Sequence, residues 1–121
     1  MFGGTGTAVV TPFKEGSVDY ESFGKFLNWQ IESGVEFLVV LGTTGESPTV
    51  SAEERAEIIT FAVKTAAGRV PVVIGTGSNS TAHTIEMSRQ AEALGADGVL
   101  VVAPYYNKPT QEGHYQHFKA T

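Results

Sequence analysis

Three short segments of this 121-residue chain concentrate side chains able to handle a small acid or a proton. The first is Gly42-Thr43-Thr44-Gly45-Glu46. Glycines on both sides of two threonines let the backbone turn sharply and approach a ligand closely. The enclosed N–H groups and hydroxyls then offer convergent donors for a small carboxylate. An ordinary Gly-Thr turn has the same composition, so both readings stand on these residues alone. The second segment is Pro104-Tyr105-Tyr106-Asn107-Lys108-Pro109, a loop stiffened by proline at each end and carrying two phenols. A phenol can relay a proton or hydrogen-bond an oxyanion; it can equally pack at an interface, where tyrosine is enriched. The third, Gly75-Thr76-Gly77-Ser78-Asn79-Ser80, begins like a dinucleotide fingerprint but has no glycine at its sixth position.

Other chemistries find less support. With no cysteine, disulfide staples, thiolate zinc sites and cysteine nucleophiles are all excluded. His114 and His117 are three apart, yet no third ligand with suitable spacing accompanies them. They read as helical surface histidines, and no metal is expected. Glu53 and Glu54 fall in the first turn of a helix, where acids favour its dipole. No Ser-His-Asp order and no Walker loop is visible. A Schiff-base lysine must be neutral near pH 7, which takes burial or a cationic neighbour. Lys25, Lys64 and Lys119 fall on helical segments, and Lys14 and Lys108 on polar loops. None is expected on a strand facing a barrel interior.

The elements that must position these loops follow a repeating plan. Four β-rich runs stand at Thr7–Thr11, Phe37–Leu41, Val70–Gly75 and Gly98–Ala103. The last three have continuous apolar cores, as strands covered on both faces of a parallel sheet do. Between them lie helical stripes. Phe23, Phe26, Leu27 and Ile31 form one, closed by Gly34. Ser51 and Glu54 have capping-box spacing ahead of Ile58, Ile59, Ala62, Val63 and Ala66, with Gly68 ending that helix. Thr84, Met87, Ala91 and Leu94 form a third, closed by Gly95, and Thr110 caps a fourth in which Tyr115 and Phe118 face inward. Gly34-Val35-Glu36-Phe37-Leu38-Val39-Val40 aligns with Gly95-Ala96-Asp97-Gly98-Val99-Leu100-Val101, an offset of 61 residues, or two βα units.

Four alike βα units admit part of a closed barrel or a doubly wound sheet. The missing dinucleotide fingerprint favours the barrel. Residues 1–121 are therefore read as one α/β unit, the first half of a (β/α)₈ TIM barrel, with no second domain. In such folds function collects on the strand-to-helix loops. Here those loops are the long ones rich in hydroxyls and amides, and the helix-to-strand links are short and plain.

Charge and hydropathy narrow the partners. A net charge of −5 with scattered lysines and arginines argues against nucleic acid. No run approaches the roughly 18 apolar residues of a membrane span. Met1–Thr5 has no basic region ahead of an apolar stretch, so no signal peptide is expected and a cytoplasmic location fits.

The motifs, taken together, resemble the dihydrodipicolinate synthase family. Gly42-Thr43-Thr44-Gly45-Glu46-Ser47, Gly75-Thr76-Gly77, Pro104-Tyr105-Tyr106-Asn107-Lys108-Pro109 and Gln111-Glu112-Gly113 carry the resemblance, with Thr11-Pro12-Phe13 and Tyr115-Gln116-His117-Phe118-Lys119. It covers the whole chain but well under half of a family member. It implies a class I aldolase that condenses pyruvate with aspartate semialdehyde in lysine and diaminopimelate biosynthesis, through a Schiff base and without a cofactor. It further implies that Thr44 binds the pyruvate carboxylate, and that Thr43 is the middle of a Tyr-Thr-Tyr proton relay. Tyr106 would be the relay tyrosine that reaches into a neighbouring subunit of a homodimer or homotetramer. The second relay tyrosine, the arginine for the aldehyde's carboxylate and the lysine itself would lie past residue 121, leaving this stretch inactive alone. The sister N-acetylneuraminate lyase family typically has serine in place of Thr43, so the Thr43-Thr44 pair favours the synthase. A lysine-inhibition site would map onto Ser47, Pro48, Ala52, Arg55, Asn79, His83 and Tyr105. Ala52 and Arg55 replace its usual histidines and His83 its glutamate, which implies weak or absent lysine inhibition. The alternative is a non-catalytic half-barrel folding or assembly module: a half-barrel leaves unpaired strand edges and an apolar inner face, and so should self-associate.

Overall fold

The computed structural model describes residues 2–121. Strands β1 (Gly6–Ala8), β4 (Phe37–Val40), β5 (Val72–Gly75) and β6 (Gly98–Leu100) form one parallel sheet in the order β1-β4-β5-β6. Helices α1 (Tyr20–Glu32), α2 (Ala52–Ala66) and α3 (Thr81–Ala93) alternate with the strands, and α4 (Gln111–Ala120) closes the series. This is the first half of a (β/α)₈ barrel, as the repeating units predict. The strands are shorter than the apolar runs: Val9, Thr11, Val70 and Val102 lie outside the ladder.

Between β1 and α1 the sequence hides a hairpin that the apolar runs do not reveal. Strands β2 (Phe13–Lys14) and β3 (Ser17–Val18) pair antiparallel. Glu15 and Gly16, at φ 52° and 82°, make the turn between them. Two successive positive φ angles mark the type I′ geometry that suits strand twist. Lys14 therefore sits on a small exposed ladder rather than in a loop, and outside the parallel sheet.

The core lies between sheet and helices. Phe23 and Leu27 of α1, Ile58 and Ile59 of α2, and Leu38, Val40 and Ile74 of the sheet are fully buried. Each such side chain contributes about 1.5–3 kcal/mol relative to exposure. Phe61 of α2 packs against Phe23 and Tyr20 of α1, with ring centroids 5.8 and 5.0 Å apart. The capping box at Ser51 and Glu54 forms in both directions. Ala67, at φ 50°, already takes the left-handed position at the end of α2, one residue before Gly68.

Two sequence expectations need correction. Tyr115 and Phe118 do not face inward: they are 57% and 45% exposed, and His117 is the buried residue of α4. Its Nδ1 lies 2.9 Å from the Thr81 hydroxyl at the start of α3. A helix shows one narrow stripe to its neighbour, and the α3 contact selects the polar residue between the two aromatics. Strand β5 is buried at all four positions, as an inner strand should be, but β6 is not covered on both faces. It forms the sheet edge, with Val99, Leu100 and nearby Val102 exposed by 41–51%.

The 61-residue repeat has a structural meaning. The Glu36 N–H donates to the Thr5 carbonyl, and the Thr5 N–H donates back to the Glu36 carboxylate. The Asp97 N–H donates to the Val72 carbonyl, and the Val72 N–H donates to Asp97 Oδ2 at 2.8 Å. Each acidic residue is a two-point hook onto the neighbouring strand just as that strand begins.

Candidate functional site

The strand-to-helix loops gather at one end of the sheet, and local sequence explains how each is held. After β4, Leu41 turns left-handed at φ 57° and Thr43–Gly45 wind one 3₁₀ turn. Gly45 N–H donates to the Gly42 carbonyl and Glu46 N–H to that of Thr43. The N–H groups of Thr43 and Thr44 open the turn, so they have no partner within it. Both threonines are exposed. The turn is anchored from the segment that follows β1: the buried Thr11 hydroxyl donates to the Gly45 carbonyl at 2.7 Å. A Cβ on Gly45 would stand 3.2 Å from the Val9 carbonyl oxygen, so this close approach suits glycine.

Behind the turn lies a cavity of about 530 Å³ between α2, α3 and the strand ends. Thr43, Arg55, His83, Glu86 and Tyr105 contribute to its walls. Arg55 is 6% exposed; its Nη1 donates to the Ser47 hydroxyl and its Nη2 to the Gly75 carbonyl. Burial holds its guanidinium below the usual arginine range. Among the described residues it forms no ion pair with a carboxylate. Six of the seven positions mapped to a lysine-inhibition site line this cavity, and Asn79 does not. Glu86 does, 3.6 Å from His83 Nδ1, an acid that the mapped positions leave out.

The tyrosine loop stands apart. Tyr106 is 98% exposed and has φ 68°. With almost no contact inside its own chain, it is not brought onto Thr43. The Asn107 N–H donates to the Tyr105 carbonyl at 2.8 Å, so Tyr106 is the apex of a three-residue γ-turn. Asn79 Nδ2 donates to Asn107 Oδ1 at 3.1 Å, and Asn107 Nδ2 donates to the Asn79 carbonyl at 2.9 Å. Sequence reading singled out the phenols and missed this amide pair, whose signal was an asparagine directly after them.

Fold and loops define one class: a parallel barrel half whose strand ends present hydroxyls and backbone donors. The comparisons make it specific. The Dihydrodipicolinate synthetase family profile matches residues 1–121, and the chain belongs to that family. It is 68% identical over 120 residues to a 4-hydroxy-tetrahydrodipicolinate synthase of Kosmotoga olearia, spanning 99% of this chain and 41% of that protein. The crystal structure of dihydrodipicolinate synthase from Thermotoga maritima superposes with a TM-score of 0.96 at 56% identity, over 98% of this chain and 40% of that one. A chloride-inhibited dihydrodipicolinate synthase from Acinetobacter baumannii, solved with pyruvate, gives 0.96 at 49%, over 99% and 42%. The chain thus spans about 41% of the length of the Kosmotoga olearia relative.

Proposed function

We propose that this chain is the N-terminal portion of a class I aldolase that condenses pyruvate with aspartate semialdehyde in lysine and diaminopimelate biosynthesis. The observation that carries the reading is the Thr43-Thr44 turn, opened by N–H groups with no partner within it and held by Thr11 just past β1. In this reading Thr44 binds the pyruvate carboxylate with its hydroxyl and the adjoining N–H groups. Thr43 passes a proton between two phenols. One phenol is that of Tyr106, contributed across an interface by a second copy, which its 98% exposure supports. The Schiff-base lysine lies in the remainder of the protein, since Lys14 is on the surface hairpin, Lys25, Lys64 and Lys119 are on helices, and Lys108 is exposed in the tyrosine loop. A cytoplasmic setting and self-association go with this reading. The exposed apolar residues of both sheet edges, Val10 beside β1 and Val99, Leu100 and Val102 around β6, support association.

The test is reductive trapping. The chain, and a chimaera joining it to the rest of the Kosmotoga olearia synthase, are each treated with pyruvate and borohydride, and intact masses are read. One adduct on the chimaera and none on the chain is expected. An adduct on the chain alone would overturn the assignment of the lysine elsewhere. The chimaera should also resist inhibition by lysine, because the cavity wall already holds the Arg55 cation; micromolar inhibition would remove that part.

A further inference from the structure

A γ-turn with positive φ at a non-glycine residue stores on the order of 1–3 kcal/mol of strain. Tyr106 sits at such an apex and, at 98% exposure, buries nothing within its own chain that would offset it. The restraint comes from its neighbour. Asn107 closes the turn with its backbone N–H and spends its side chain on a two-point bond to Asn79. Asn79 is itself fixed. On one side the Ser78 N–H donates to the Thr84 hydroxyl at 3.1 Å, and on the other the Ser80 N–H donates to the Ser78 hydroxyl at 3.1 Å. Thr84 is fully buried in α3. A continuous set of directional contacts therefore runs from α3 through Ser78 and Asn79 to the tyrosine turn. An amide offers a donor and an acceptor on separate atoms of one short tip, which this two-point bond requires. Aspartate at 107 keeps the acceptor and loses the donor, and alanine loses both.

We propose that Asn107, paired with Asn79, is a positioning residue for the phenol of Tyr106. It touches no substrate; it fixes the direction in which the strained turn presents the phenol, and thereby the rate of proton relay. This rests on the relay role proposed above for Tyr106.

The test uses the chimaera with the Kosmotoga olearia synthase and reads kcat and KM for pyruvate. Misplacing a catalytic group by about 1 Å can cost on the order of 100-fold. Asn107→Ala, which frees the turn without removing the phenol, should lower kcat about tenfold and leave KM within about twofold. Asn79→Ala, which keeps the backbone acceptor, should lower kcat about threefold, and Asn107→Asp should recover part of the Asn107→Ala loss. In a Tyr106→Phe background Asn107→Ala should change kcat less than about twofold, because the group it positions is gone. Two results overturn the proposal. One is full kcat for Asn107→Ala when Tyr106→Phe is impaired; the other is an undiminished effect of Asn107→Ala in the Tyr106→Phe background. Full kcat for Tyr106→Phe itself would remove the relay reading and the clamp with it. Asn107 is exposed and Asn79 half-buried, neither in the core, so thermal midpoints should stay level across the series.

Discussion

The two ends of the parallel sheet use left-handed backbone in opposite ways. Where helices return to strands, positive φ falls on Gly34 (91°), Gly68 (72°) and Gly95 (91°), with Ala67 (50°) the exception. Glycine adopts these angles without a Cβ clash, so that end is relaxed. Where strands lead to helices, the hairpin turn at Glu15 (52°) and Gly16 (82°) apart, the positive angles belong to Leu41 (57°), Glu46 (56°), Tyr106 (68°) and Lys108 (49°). Each costs on the order of 1–2 kcal/mol. The glycines at this end serve another purpose. A Cβ on Gly75 would stand 2.2 Å from the Leu41 carbonyl oxygen, and one on Gly77 2.3 Å from the Val102 N. One end uses glycine to avoid strain; the other uses it for close approach and leaves strain on residues with side chains. Strain persists only where surrounding structure over-determines it, and such positions cluster at functional sites.

The comparison breaks first at Gly75. Gly75→Ala drives a methyl into backbone on a fully buried strand, so a loss of about 3 kcal/mol or outright misfolding is expected in urea titration. Wild-type stability would mean that the close approach is not structural. The next test exchanges the two ends' habits. Gly34→Ala forces a side chain into left-handed backbone and should cost about 1–2 kcal/mol. Ala67→Gly relieves the same conformation and should gain about 0.5–1 kcal/mol. Equal signs for the two in thermal unfolding would contradict the account of the relaxed end. The smallest effect concerns Tyr20, which opens α1 at the strained end but sits in ordinary packing. Burial, aided by a hydrogen bond to Glu57, pushes its phenol up from 10.0 to about 12. A raised folded-state value leaves the stability contribution intact below pH 10.0 and loses it as pH climbs towards about 12. Tyr20→Phe should flatten stability across that interval; an unchanged slope would place the titration elsewhere.

How much of this could be read beforehand depended on the range of the forces involved. The four βα units, the capping box and the caps at Gly34, Gly95 and Thr110 are local, and periodicity with cap chemistry located them. The hairpin at Phe13–Val18 was missed because two-residue strands carry no period; Glu15-Gly16 was its only signal. His117 was misread because which stripe of α4 turns inward is decided by α3, whose Thr81 lies 36 residues from His117 in sequence. At the site, residue types pointed to Thr43, Thr44 and the tyrosine loop. The Thr11–Gly45 tie and the Asn79–Asn107 pair join different βα units, and nothing in either segment announces the other.

The acidic hooks at Glu36 and Asp97 have a consequence for how such a chain can change over generations. Register in this sheet is pinned where strands begin, by a pair of bonds on the relaxed end. The loops at the far end are therefore not needed to set it. Lengthening one of them would leave strand alignment intact and cost only closure entropy, about 0.6 kcal/mol for each doubling of length. Insertions and new side chains can be tried beside the chemistry while the scaffold stays in step.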